Sequence, residues 1–425
     1  MIAWTAQGAP HAARWRSESG QSAPGRVVLA DDRMDADTAY RLACEGTGLL
    51  WCGDFQNGRQ LLQALTRRAD RSREKSRAPP ARAGRRQALG GAALAAAEPG
   101  SASPRPAAAG SPADAAQAFH LHRQAQAQRA RTLGMLLLRL EADHSLALRR
   151  APDLRQACTE AYGPGQDDDR PYVASMRELL GLVSAHEWRS TGVPVAALDA
   201  RIHPHYGVFA PVRSEYLALV QQAPLPQASR DVSLAWDIGT GTGVLAALLA
   251  RRGLRRVLAT DCEPRALACA ADNLQRLGLA QGVELQQRDL FPPGRAPLIG
   301  CNPPWLPARP TAPIEAAVYD PDSRMLRGFL AGLASHLAPG GEGWLVLSDL
   351  AEHLGLRTRA ELLGWIDAAG LRLIKRTEVR PVHARAQDPD DPLHRARAAE
   401  RTSLWRLAAL PGLAPHAATH RAAPT

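Results

Sequence analysis

The chain has 425 residues and is poor in lysine and in aromatic side chains. Only Lys75 and Lys375 are lysines, so the other 50 of its 52 basic residues are arginine. That bias, beside abundant alanine, reflects genome composition as much as arginine chemistry. None of the six cysteines (Cys44, Cys52, Cys158, Cys262, Cys269, Cys301) forms a CxxC pair. A secreted disulfide framework is therefore excluded, and a reduced, cytoplasmic setting fits best. The first 30 residues lack the apolar stretch of about 7–15 residues that a signal peptide needs. No window approaches the roughly 18 uninterrupted apolar residues of a membrane-spanning helix. Aromatics are 5% of the chain, while it holds 35 glycines and 33 prolines. Linker-like sequence therefore accompanies a packed core.

The net charge is +10, and most of it is local. Arg67 to Arg105 carries ten basic and three acidic residues in a Pro/Ala/Gly-rich stretch. Such a segment adds non-specific attraction to RNA or DNA without making a shaped groove. Four parts are expected. Residues 1–33 read as a disordered leader, with Met34 as an alternative start. Residues 34–200 read as a helical N-terminal domain, interrupted by a low-complexity linker at about 66–117. Residues 201–410 form a second domain, and 411–425 a disordered tail. Within the N-terminal part, 36–65 suggests two short helices and Met176–Trp188 an amphipathic one. Leu133, Leu136, Leu137, Leu140 and Leu148 share one helical face.

From about residue 202, β-prone and helical runs alternate. Strands are expected at Val232–Ile238, Arg256–Thr260, Val283–Gln287, Pro297–Cys301, Gly343–Ser348, Leu371–Lys375 and Thr402–Ala408. Helices are expected at Val244–Arg252, Arg265–Leu277, Arg324–Leu337 and Arg359–Ala369. This alternation implies an α/β fold with a doubly wound, mostly parallel sheet. Between the last two strands, Pro381, Pro389 and Pro392 leave no comfortable crossover helix, so that pair should be antiparallel.

Chemistry gathers at the strand ends. Asp237-Ile238-Gly239-Thr240-Gly241-Thr242-Gly243 follows the first strand and opens a helix. Its glycines permit a tight turn and close approach to a ligand. Their GxGxG spacing differs from the GxGxxG of nicotinamide-dinucleotide enzymes. Asp261 ends the second strand, where a carboxylate can accept both ribose hydroxyls of a nucleoside. Asp289 follows the third, where an acceptor can meet an adenine amino group or cap a helix. Cys301-Asn302-Pro303-Pro304-Trp305 follows the fourth. Cys301 reads as a buried strand-end thiol rather than a nucleophile. His203 and His205 read as a turn leading into a helix, not as metal ligands. The His383…Asp388, Asp390, Asp391…His394 stretch reads as a solvated loop.

Together DIGTGTG, TD and NPPW resemble the class I S-adenosylmethionine-dependent methyltransferases, over about residues 202–410. Within them the chain looks like the branch with an [N/D]PP[aromatic] motif that methylates planar nitrogen. That branch includes the release-factor glutamine methyltransferases and the adenine- and guanine-N methyltransferases of DNA or RNA. The resemblance implies a Rossmann-like, seven-stranded sheet and S-adenosylmethionine as cofactor. It implies that Asp237, Gly239, Thr240, Gly241 and Gly243 hold the methionine part. Asp261 would hold the ribose and Asp289 would face the adenine. Phe209 and Pro211 belong to the segment His205–Pro211, which would close over the cofactor. Asn302, Pro303, Pro304 and Trp305 would form the catalytic group, with no metal.

The chemistry of that group follows from the nitrogen it would serve. A planar nitrogen has a delocalised lone pair, and accepting both of its N–H protons enriches that lone pair. The Asn302 side-chain oxygen and the Pro303 carbonyl are the two acceptors. The prolines stiffen them, and Trp305 gives a planar group a wall to stack on. Two residues depart from the release-factor pattern: Trp305 replaces the common Tyr, and Gly300 replaces a larger apolar residue. The acidic-Pro segment Tyr319–Ser323 occupies the place of the substrate-side loop and does not match one subfamily cleanly.

The expected activity is methyl transfer to a planar nitrogen in a macromolecule, with a protein glutamine amide as first candidate. The alternatives are an exocyclic amine of adenine or guanine in rRNA or DNA, and a cofactor-binding protein without transfer. No membrane partner is expected, and the sequence does not specify an oligomeric state.

Overall fold

The computed structural model describes residues 1–77, 112–165, 170–211, 214–310, 313–381, 388 and 390–411. Two large sheets organise it. The first comprises β1 (Ile2–Ala6), β2 (Ala9–Trp15), β3 (Arg26–Ala30), β4 (Thr47–Trp51), β5 (Leu136–Leu140) and β6 (Tyr172–Ser175). Their spatial order is β1-β2-β6-β5-β4-β3. Parallel pairs are β2–β6, β3–β4 and β4–β5, while β1–β2 and β5–β6 are antiparallel.

This corrects two expectations about the N-terminal part. The leader 1–33 is not disordered, because it supplies β1, β2 and β3. The N-terminal domain does contain helices, at Ala36–Cys44, Phe55–Arg77, Pro112–Leu133, Arg155–Tyr162 and Met176–Thr191, but they accompany a sheet. The leucine run after Leu133 is the central strand β5, not a helix face. A central strand covered on both faces reads as a continuous apolar run, which helical spacing also fits. Leu136, Leu138 and Leu140 pack with Leu49, Phe55, Leu65 and Leu179 on one face. Leu137 packs with Leu50, Val173, Ile2 and Ala13 on the other. The leader strands escape notice because they lie at the sheet's flanks and bury few side chains; β2, for instance, turns only Ala13 fully inward. The expected linker at about 66–117 is shorter, because helices run to Arg77 and start again at Pro112. Its centre, 78–111, lies outside the described residues, as do positions 412–425 of the expected tail.

A short hairpin, β7 (Val193–Val195) with β8 (Ala200–Ile202), leads to the second sheet. That sheet comprises β9 (Leu234–Ile238), β10 (Arg256–Asp261), β11 (Val283–Gln287), β12 (Ala296–Cys301), β13 (Leu337–Ser348), β14 (Leu371–Val379) and β15 (Thr402–Ala409). The order is β11-β10-β9-β12-β13-β15-β14, parallel up to β13. β15 inserts between β13 and β14 and runs antiparallel to both. The seven-stranded, doubly wound sheet is thus present with the antiparallel ending that the proline-rich last connection requires. One face buries the helices Glu215–Gln222 and Val244–Arg251. The other buries Arg324–His336 and Arg359–Ala368. Among the described residues, no helix is long and apolar enough to cross a membrane.

The two sheet systems touch at specific points. Arg265 donates to the Ala161 carbonyl at 3.2 Å and lies 3.5 Å from the Glu18 carboxylate. Tyr206 packs on the N-terminal core. Phe119, on the helix Pro112–Leu133, is buried with Leu306, Leu350 and Leu393 of the second system.

A chain begun at Met34 would lack β1–β3 and uncover Leu50, Leu137 and Val173. Exposing that apolar surface costs several kcal/mol at about 25 cal/mol per Å². Its thermal midpoint, read by circular dichroism, is expected at least about 10 °C below that of the full chain. An equal midpoint would make the leader strands dispensable.

Candidate active site

β9, β10 and β12 end level with one another. The register sets Ile238 beside Thr260 on one side and Cys301 on the other. Strand order reverses between β9 and β12, and such a switch point opens a crevice beyond the carboxyl ends. DIGTGTG, Asp261 and NPPW all stand at that edge.

Asp237 is 1% exposed, and its Oδ2 accepts both the Thr240 hydroxyl (2.7 Å) and the Ala246 N–H (3.0 Å). The carboxylate therefore braces the glycine loop from within. Gly239 and Thr240 each donate their N–H to the Thr260 carbonyl at 2.9 Å, lacing the loop to β10. Gly239 and Gly241 take φ of +72° and +56°, a region that favours glycine. A Cβ on Gly239 would run into Met325 Cε, whereas one on Gly241 would meet open space. The loop's outer side is thus accessible to a ligand at Gly241 and closely covered at Gly239.

Asp261 is half-buried. Its Oδ2 accepts the Gly241 N–H at 2.9 Å and its Oδ1 the Glu263 N–H at 3.0 Å. Each oxygen accepts one N–H and keeps lone-pair capacity, which fits a carboxylate holding a ribose diol. Asp289 stands differently: it is exposed and paired with Arg324 at 3.1 Å. Phe209 is 40% exposed, and Pro211 is buried.

At the end of β12, Asn302 is half-buried and Pro303 buried. The Trp305 indole N–H donates to Asn302 Oδ1 at 3.0 Å. An indole can only donate, so this contact orients the amide with its oxygen toward Trp305. The buried Tyr216 hydroxyl lies near the Asn302 side chain, and burial disfavours its ionisation. Trp305 itself packs against the cores on both faces of the sheet. The glycine at position 300 has a packing reason, since a Cβ there would come 3.3 Å from Leu245 Cδ2. Cys301 is fully buried and its thiol is pushed well above the ordinary range by desolvation, so it is inert as a nucleophile.

Several residues of the site carry no motif signal in the sequence. Tyr216 reaches Asn302 from the helix Glu215–Gln222. Asn273 takes the His203 N–H on its oxygen at 2.7 Å and donates to the Thr242 carbonyl at 3.1 Å. It thereby ties the segment leading to Pro211 to the glycine loop. The Tyr319–Ser323 segment, readable only as a loop on the substrate side, turns its buried Asp320 onto the N–H of Met325 at 2.8 Å. That contact sets Met325 over Gly239. His205 reaches Asp272 at 3.3 Å, and among the described residues no cluster of three or more His, Cys, Asp or Glu could hold a metal. The His383…His394 stretch lies partly outside the described residues; within it, Asp391 pairs with Arg397 at 3.1 Å.

Residues 200–359 match the family profile described as the methyltransferase small domain. The segment is thus similar to the methyltransferase small domain. Among curated proteins, a release factor glutamine methyltransferase of Cereibacter sphaeroides is 36% identical over 149 residues. That match covers 32% of this chain and 51% of the relative. A ribosomal protein L11 methyltransferase of Pelotomaculum thermopropionicum is 36% identical over 146 residues, covering 34% of this chain and 39% of the relative. The chain thus spans about half or less of these relatives' lengths. A solved methyltransferase of Pyrococcus furiosus overlaps 54% of this chain and 99% of its own, at 16% identity and a TM-score of 0.36. Both curated matches are of a size that fits within the methyltransferase small domain, and the profile's bounds enclose the glycine loop, Asp261, Asp289 and NPPW.

The loop brace in this domain has a pH signature. Burial raises the Asp237 carboxyl from 3.8 to about 7, against the lowering effect of its Thr240 and Ala246 bonds. The folded chain therefore holds a proton that the unfolded chain releases above about pH 4. This contribution to stability is full below pH 4, falls as pH rises and levels off above 7, a change on the order of 4 kcal/mol. Both donors meet one oxygen, so Asp237→Asn can keep both bonds without a titrating group. Its urea midpoint is expected to fall less than the wild type's between pH 5 and 7.5. Parallel midpoints would remove Asp237 from this account.

Proposed function

We propose that the protein transfers a methyl group from S-adenosylmethionine to a planar nitrogen, and that this nitrogen is a glutamine amide of a protein. S-adenosylmethionine supplies a sulfonium-bound methyl, which an attacking nitrogen displaces in line. The observation that carries the reading is the orientation of Asn302. With Trp305 donating to it, its oxygen is held fixed and retains a second lone pair for a substrate N–H. No described donor reaches the Pro303 carbonyl, which offers the second acceptor. Two fixed acceptors would draw on both N–H protons and so enrich the nitrogen lone pair, and their position lowers the barrier by preorganisation. As the N–CH3 bond forms, the S–CH3 bond would break to leave neutral S-adenosylhomocysteine, and the nitrogen, its N–H groups still hydrogen-bonded to these oxygens, would lose its extra proton to solvent water.

Asp261, with spare lone pairs beside Gly241, is the residue assigned to the ribose. Asp237 and the Gly239–Gly243 loop shape the floor under the methionine part, with Thr240 serving as a brace. Phe209 and Pro211 lie on the segment assigned to closing over the cofactor. Asp289 is assigned to the adenine side and must exchange its Arg324 pairing to reach it. Similarity to a release factor glutamine methyltransferase supports a protein glutamine over a nucleic-acid base, and the cytoplasm is the proposed location.

The test is label transfer. Methyl-labelled S-adenosylmethionine and the protein are incubated with a lysate of a strain lacking the gene, then split between protease and nuclease. Label lost to protease alone and recovered as N-methylglutamine is expected. Label lost to nuclease would replace this reading with base methylation.

Two variants separate binding from transfer. Asp261→Ala should weaken S-adenosylmethionine binding by roughly 2–4 kcal/mol, measured by calorimetry. Asn302→Ala should keep that affinity and lower kcat by roughly a hundredfold or more. A normal kcat in the second variant would sink the nitrogen mechanism.

A further inference from the structure

A cleft of about 630 Å³ lies between the helix Met176–Thr191 and the segment Pro204–Ala210. We propose that it holds an extended stretch of the protein substrate, with an acidic side chain at one end and a large apolar one at the other. This rests on the protein-substrate reading above. Arg177, Gly181, Ser184 and Trp188 follow one face of that helix and line the cleft. Arg177 has no ion-pair or hydrogen-bond partner among the described residues. Trp188 is 48% exposed, a large apolar ring left at the cleft's far end. Between them the floor is small: a Cβ on Gly181 would meet nothing within 4 Å.

A second observation points to an occupant. Ser175, 6% exposed, borders the cleft with its hydroxyl oxygen buried and unpartnered. A buried hydroxyl without a partner is costly, and a peptide N–H or carbonyl would satisfy it. From Arg177 to Trp188 the helix rises about 16 Å at about 1.5 Å per residue. That is the reach of about five residues of extended chain. The opposite wall ties the cleft to the active site. Tyr206 and Val208 line it, and Val208 also packs on Ala266 and Cys269 of the helix that follows Asp261. A single guanidinium next to the Glu178 carboxylate suits one acidic side chain better than a phosphate backbone, which calls for a row of cations.

The experiment selects random seven-residue displayed peptides on the intact protein and on Gly181→Phe, whose ring would fill the cleft from an open position. Wild type should enrich peptides with Asp or Glu about five positions from a large apolar residue. Gly181→Phe should lose that enrichment at least tenfold while keeping its thermal midpoint and S-adenosylmethionine affinity. Arg177→Glu should turn the acidic preference basic. No enrichment, or enrichment indifferent to Gly181→Phe, overturns the cleft. So does single-stranded RNA that competes for it. If wild type labels a protein and Gly181→Phe labels it with unchanged KM, the cleft fails and the methyl-transfer reading stands. If label goes to nucleic acid, that reading fails, and the peptide selection still decides the cleft.

Discussion

The site is organised around one carboxylate oxygen. Asp237 Oδ2 collects the Thr240 hydroxyl and the Ala246 N–H inside a dry strand end, so the chain must turn back over it. The turn needs φ values that side chains resist, which is why glycines fill it. It also points the N–H groups of Gly239 and Thr240 at β10 and that of Gly241 at Asp261. Two strand ends and one helix start are thereby locked in a common frame. The reach of Asp261 and the opening above Gly241 are consequences of that frame. Burying the carboxylate raises its proton affinity, and the two donors only partly offset this.

Other residues extend the frame. Asn273 holds His203 and Thr242 with opposite ends of one amide, joining the lead-in segment to the loop. Asp320 anchors the start of the helix Arg324–His336 and so keeps Met325 against Gly239. Arg123 reaches the same substrate-side loop from the N-terminal part, with its guanidinium 3.9 Å from the Tyr319 ring centre and 3.4 Å from Glu315. The N-terminal sheet system is therefore mechanically connected to the region just beyond NPPW.

How much of this was legible in the sequence divides at about residue 200. The second sheet was readable almost element by element, because its strands alternate with helices and end in motifs. The expected strands and helices shifted only at their boundaries, as with β13, which begins at Leu337 instead of Gly343. The helices Glu215–Gln222, Gln227–Val232 and His394–Ala399 went unread, the last inside the proline-rich connection. The first sheet was hidden. β4 and β5 are short and covered on both faces, so their leucines carry no period of two. β1 and β2 are flanking strands that bury few side chains, so no alternating pattern marks them. In the site, motif residues were legible because backbone geometry demands them. Tyr216, Asn273 and Met325 were not, since each arrives from a distant helix by tertiary packing that no local spacing records.

The two departures from the release-factor pattern belong to one packing solution. Gly300 admits Leu245 of the helix that follows the glycine loop, which brings the loop and β12 close together. Trp305 then packs between the cores of both faces. From there its N–H reaches back three residues to Asn302, with the buried Tyr216 near the same side chain. A tyrosine at 305 would end in a hydroxyl, which can donate or accept and so cannot alone dictate which end of the Asn302 amide faces it. An indole removes that ambiguity. In this chain the orientation of Asn302 is consequently set by the protein, before any substrate arrives.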